Sequence, residues 1–69
     1  MNAQHDIGPT LVLLTVEEAA RRLRIGRTTC FRLVADGEIE SVTVGRLRRI
    51  PADAVPAYVG KLRGLAVAA

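Results

Sequence analysis

The sequence predicts a mainly α fold with a small β-hairpin, in the order helix, short turn, helix, hairpin, helix. Three observations predict it. Apolar residues recur at helical spacing from Val16 to Leu23 behind Thr15 and Glu18, which stand at capping-box distance. A second helical pattern, residues 27 to 35, starts only three residues later, after Arg24-Ile25-Gly26. A β-branched run, Ser41-Val42-Thr43-Val44, meets Gly45-Arg46 and then Leu47 to Ile50, the signature of two strands joined by a tight glycine turn.

Residues 1 to 10 hold Asn2, Gln4, Asp6, Gly8 and Pro9 without an apolar period, and are expected to form a flexible N-terminal arm. A folded domain is expected over residues 11 to 62, followed by a short C-terminal tail over 63 to 69. The stretch Leu11 to Leu14 feeds the first helix, and Leu14 and Ala19 are placed to staple its entry. Val16, Ala19, Ala20 and Leu23 share one face of that helix, while Glu17, Arg21 and Arg24 lie opposite. In the second helix Thr29, Cys30, Leu33 and Val34 fall on one side, and Arg27, Thr28, Phe31 and Arg32 on the other. Asp36-Gly37 ends it, glycine supplying a left-handed residue. The register of the hairpin stays open, since two-residue and three-residue turns put Ile50 on different faces. Pro51 and Asp53 open a last helical stretch through Ala54, Val55, Tyr58 and Leu62, within which Pro56 is expected to shorten or kink the helix.

Sixty-nine residues allow one small domain, which at this size hides only roughly 60% of the surface its unfolded chain exposes. With aromatics at 3%, the core has to be aliphatic. A single cysteine, Cys30, excludes an internal disulfide framework. The single histidine, His5, lies in the N-terminal arm, so neither a zinc site nor any other metal site is expected. No apolar run approaches the roughly 20 residues of a membrane span, and the N-terminus lacks the pattern of a signal peptide. A cytoplasmic location without membrane contact follows as the expectation. There is no Ser/His/Asp or Cys/His arrangement and no phosphate-cradling glycine loop, so neither catalysis nor a cofactor is expected. Cys30 reads as a small core residue, and Glu17 and Glu18 as acids serving a helix start.

The charge is informative because of where it sits. The net charge is +3, and nine of the ten basic residues are Arg. Residues 15 to 51 carry eight Arg against five acids, which is the whole net charge. Arg21 to Arg32 contains five Arg and no acid, and Arg46 to Arg49 adds three. Two helices joined by a three-residue turn, the second with one apolar and one Arg/Thr face, make a helix-turn-helix unit. The first helix braces the second so that its polar face can lie in the major groove of double-stranded DNA. Arg32 and Arg27 are candidates for base-edge contact, since Arg pairs with guanine in bidentate fashion. Thr28 is short enough to reach a base or a phosphate. Phe31 either packs against a sugar or thymine methyl, or folds back into the core or under the hairpin. Arg46, Arg48 and Arg49 would make the hairpin a wing on the DNA backbone or minor groove. Arg21 and Thr15 of the first helix are expected at phosphates, which set register and affinity but not sequence choice.

The run from Leu14 to Pro51, with "LTVEEAARRL", "IGRTT-x-FRL" and "VGR-x-RRIP", resembles the excisionase-type DNA-binding domains, small relatives of the MerR-like winged helix-turn-helix group. It covers 38 of 69 residues, and "ADAVPAYVGKL" is similar to the family's usual continuation. The resemblance implies that residues 27 to 32 enter the major groove and that "GRLRR" is the wing. It also implies binding and bending of DNA at the attachment sites of a mobile element, and steering of an integrase (a tyrosine or serine recombinase) toward excision. Cooperative self-association on DNA is then expected, because one module of this size reads few base pairs. When bound, the protein would be associated with the bacterial nucleoid. The sequence departs from the family at Arg24, where glycine is usual, at Cys30, at Leu47 near the wing tip, and at Pro56. The alternatives are a small transcriptional regulator of the same fold and a protein-interaction module that does not bind DNA. A small-molecule ligand is not expected, because the effector region of full MerR proteins has no counterpart here.

Overall fold

A computed structural model describes residues 12 to 68, so the predicted arm and His5 lie outside the described residues. The elements are β1 (Leu13–Leu14), α1 (Val16–Leu23), α2 (Arg27–Ala35), β2 (Val42–Val44), β3 (Leu47–Pro51) and α3 (Ala54–Ala68). The helix-turn-helix, the hairpin and the last helix thus stand in the expected order. One element is additional: β1 pairs antiparallel with β3, giving a three-stranded sheet in the order β1-β3-β2. Leu13 and Leu14 lie opposite Pro51 and Ile50. This ties the chain just before α1 to the root of the wing, so the wing is anchored to the helix pair through its central strand.

Helix α1 starts as its sequence dictates. The Thr15 Oγ1 accepts from the Glu18 backbone N–H at 3.0 Å, and Glu18 Oε1 accepts from the Thr15 N–H at 2.8 Å. Leu14 and Ala19, the two staple positions, are both fully buried. At its other end Arg24 adopts the left-handed conformation, φ 57 and ψ 44. The Arg24 N–H donates to Arg21 O at 3.1 Å and the Ile25 N–H to Ala20 O at 3.0 Å, the paired bonds of a Schellman motif. Helix α2 ends with the same two bonds, Gly37 to Val34 O and Glu38 to Leu33 O, around Gly37 at φ 79. The turn between the helices therefore keeps the backbone a glycine would supply, with Arg24 bearing the strain.

The turn Gly45-Arg46 settles the hairpin register. Val44 pairs with Leu47, so the loop has two residues, with Gly45 at φ 62 in its first position. Ile50 consequently faces the core and is fully buried, beside Leu14 on the neighbouring strand. By alternation Arg48 shares the face of Ile50, whereas Leu47 and Arg49 point to the opposite face.

The core is aliphatic, as the composition requires: Leu14, Val16, Ala19, Ala20, Cys30, Val34, Ile39, Ile50, Ala54 and Val55. No polar or charged side chain is buried among the described residues. The Cys30 thiol sits at zero exposure, donates to Val16 O at 3.6 Å, and is pushed up in pKa by burial. That is the chemistry of a packing residue.

Helix α3 corrects the expectation for Pro56. It runs unbroken to Ala68, past the boundary expected at residue 62. Pro56 is the third residue of the helix, where a backbone N–H has no partner inside the helix, so its missing donor removes nothing. The Ala57 N–H makes the first such bond, to Asp53 O at 3.2 Å. Lys61 then ties α3 to the segment after α2 through Glu38, at 2.9 Å. Among the described residues no helix is long and apolar enough to cross a membrane.

Candidate nucleic-acid interface

The polar face of α2 is turned outward in full. Arg27, Thr28, Phe31 and Arg32 are all exposed, while Cys30 and Val34 are buried and Thr29 and Leu33 half-buried. The division follows from helical geometry and from α1 packing against the inner side. Among the described residues Thr28 and Arg32 hold no side-chain partner in the chain, so both are available to a ligand.

The start of α2 is electrostatically open. Its N-cap is Gly26, which makes no side-chain bond to the helix, and its first turn contains no acid. Free N–H groups and the positive end of the helix dipole therefore meet solvent, an arrangement suited to a phosphate. Arg27 adds a full positive charge at the same place.

Arg27 is held from two sides. Its Nε donates to Glu17 Oε2 of α1 at 2.8 Å, and its guanidinium carbon lies 4.9 Å from the centroid of the Phe31 ring, one turn further along α2. The Arg27 hydrogen bond holds the Glu17 carboxyl below its ordinary range, with a weaker pull from Arg21. The pair is present above the ordinary carboxylate range and is lost as pH falls through the lowered value. Phe31 itself is 39% exposed, so it neither folds into the core nor disappears under the wing.

The three wing arginines part company. Arg46 occupies the turn and, among the described residues, has no side-chain partner. Arg48 leans toward α2: with Phe31, Val34 and Ala35 it lines a shallow hollow of about 340 Å³ between α2 and the wing. Its Nη1 donates to Ser41 Oγ at 2.6 Å. Arg49, on the opposite face of β3, donates to the Arg48 carbonyl at 2.9 Å and is half-buried. Of the two first-helix candidates, Arg21 is exposed on α1 and Thr15 is half-buried with its oxygen engaged in the cap. The Thr15 hydroxyl proton has no acceptor among the described residues. The structure thus gathers Arg27, Thr28, Phe31 and Arg32 on one exposed face of α2, with Arg48 beside Phe31 and Arg46 in the hairpin turn.

Two residues of this surface escaped the reading of the sequence. Glu17 lies ten positions from Arg27 on another helix, and no local spacing rule connects them. Ser41 pairs with Arg48 only once the hairpin register is fixed.

The fold agrees with what the chain is similar to. The family model described as helix-turn-helix domain matches residues 13–63. A probable excisionase of Saccharopolyspora erythraea is 61% identical over 54 residues, covering 78% of this chain and 55% of the relative. A Mycobacterium tuberculosis protein whose name marks it as a DNA-binding candidate is 49% identical over 43 residues, 62% of this chain and 55% of its own length. An excisionase of Streptomyces ambofaciens is 34% identical over 55 residues, 80% of this chain and 89% of the relative. The chain spans 55% of the length of the first two of these relatives. No solved structure matches it significantly. With the family model covering both helices, the wing and most of α3, the chain belongs to the excisionase family of helix-turn-helix DNA-binding domains.

Proposed function

We propose that this protein acts as an excisionase: it binds and bends DNA at the attachment sites of a mobile element and steers an integrase toward excision. The outer face of α2 lies in the major groove. Arg32 and Arg27 reach base edges, Thr28 reaches a base or phosphate, and Phe31 covers sugar or a thymine methyl. Arg46, Arg48 and Arg49 of the wing, with Arg21 and Thr15 of α1, hold phosphates and fix register. The observation that carries this reading is the outer face of α2, where a helix start without a side-chain cap, Arg27, and the unpartnered Thr28 and Arg32 are all exposed. The excisionases among its relatives support the recombination role. A single module contacts few base pairs, so copies bound side by side, or contact with integrase, supply the remaining affinity.

The test is a mobility-shift assay at fixed salt with DNA from the element's attachment sites. Arg32→Ala is expected to weaken binding about 10- to 100-fold, corresponding to one lost base contact. Arg48→Ala is expected to cost less and to make the salt dependence shallower by about one unit of slope. Unchanged binding in both variants, or affinity insensitive to salt, would refute the DNA-binding surface. The recombination role is read separately, by whether the protein switches a purified integrase, encoded beside it, from integration to excision in vitro.

A further inference from the structure

Arg27 is an anomaly by the rules of helix ends. The first turn of a helix disfavours cations, yet α2 begins with one. Glu17 offsets the conflict from the neighbouring helix. It is free to do so because Glu18, one position on, completes the cap of α1. The two contacts on Arg27 engage different parts of the guanidinium. Glu17 takes its Nε edge at 2.8 Å, and its central carbon lies over the Phe31 ring, 4.9 Å from the centroid. What remains without a partner among the described residues is the Nη pair, the part that donates two parallel bonds end-on to the O6 and N7 of a guanine.

The pair sits in solvent, its side chains 68% and 42% exposed, so it contributes little to holding the fold together. Its consequence is orientation. An arginine already fixed in one rotamer loses less freedom on binding than one that must be immobilised there.

We propose that Glu17 is a positioning residue for sequence recognition: with Phe31 it fixes Arg27 so that the Nη fork reads a guanine edge in the major groove. The inference rests on the DNA-binding reading of α2 and deepens it. It also makes a prediction opposite to the usual one for an acid near a polyanion. Removing the charge of Glu17 strengthens general attraction to DNA but blurs the choice of sequence.

The experiment is selection from a random duplex library at one salt concentration, by the wild-type protein, Glu17→Gln, Arg27→Ala and the double variant. The wild type is expected to enrich a motif containing a guanine whose preference Arg27→Ala abolishes. Glu17→Gln is expected to lose about three- to tenfold of the preference at that same position, with the others intact. It should also gain about two- to threefold in affinity for unselected duplex. The double variant should match Arg27→Ala alone, since Glu17 acts only through Arg27. Glu17→Asp keeps the charge but withdraws the carboxylate by one methylene, and is expected to blur the same position. Full preference retained in Glu17→Gln or Glu17→Asp, or uniform loss at every position, would overturn the proposal. A wild-type motif indifferent to Arg27 would overturn it while leaving DNA binding intact. Failure of the wild type to enrich any motif would overturn both.

Discussion

Helix α1 begins behind Thr15 and Glu18, which satisfy each other's free donors, with two acids in its first turn. Helix α2, eleven residues on, begins behind Gly26 with no side-chain cap, no acid, and Arg27 in place of one. The first start obeys every rule for a stable helix terminus, while the second lacks a side-chain cap and a first-turn acid and begins with a cation. The same chain writes a capping box when stability is what the terminus has to supply. The open start of α2 therefore reads as an end left for an external anion, and it lies on the face where the exposed arginines collect. Local rules are broken where a surface serves a partner.

The comparison can be broken by closing the second start. Gly26 has an extended backbone, φ −69 and ψ 154, and a Cβ added there would meet nothing within 4 Å. Gly26→Asp is therefore expected to cap α2 and to raise stability by a few tenths of a kcal/mol. It is also expected to weaken DNA binding about tenfold by placing a carboxylate where a phosphate would sit. Gain of stability with loss of binding, measured by thermal unfolding and mobility shift, is the signature; unchanged affinity would mean the open end is idle. Opening the first start tests the other half. Thr15→Ala is expected to cost about 1 kcal/mol, a fall of roughly 4–8 °C in Tm. Its effect on binding should be smaller than that of Gly26→Asp, because the Thr15 oxygen is already committed to the cap.

How far the sequence foretold this molecule depends on the range of each signal. The capping box, the two faces of α2 and the Gly45-Arg46 turn are local patterns, and all three appear in the structure as read. Strand β1 escaped, because two residues cannot display alternation, and Leu13-Leu14 becomes a strand only by pairing with β3. The hairpin register needed the pairing of Val44 with Leu47 before Ile50 could be assigned to the core. Pro56 misled because its effect depends on its distance from the helix start, which the sequence left uncertain. In the candidate site, the exposed residues of α2 were legible from helical period. The Glu17–Arg27 bridge was not, since it depends on how α1 and α2 pack.

The ends of the two helices offer a finer contrast than their starts. Both close with Schellman bonds, α2 around Gly37 and α1 around Arg24, a residue with a side chain in the left-handed region. Arg24→Gly is expected to relieve that strain for a net gain of about 0.5–1 kcal/mol, after the greater freedom of glycine in the unfolded chain. A higher Tm with an unchanged wing and α2 would confirm it, and destabilisation would show that the Arg24 side chain contributes more than its backbone costs.

DNA is expected to meet the open start of α2 and the wing, and to touch the capped start of α1 only through the Thr15 hydroxyl. An amide-resolved NMR titration with attachment-site duplex at low salt tests it most directly. The largest shifts are expected at Arg27, Thr28, Thr29 and Phe31 and across residues 46 to 49. The amides of Glu17 and Glu18 in the α1 cap, and those of α3, should move little. Perturbation centred on α3 or on the α1 cap, with Arg27 to Thr29 unmoved, would contradict it.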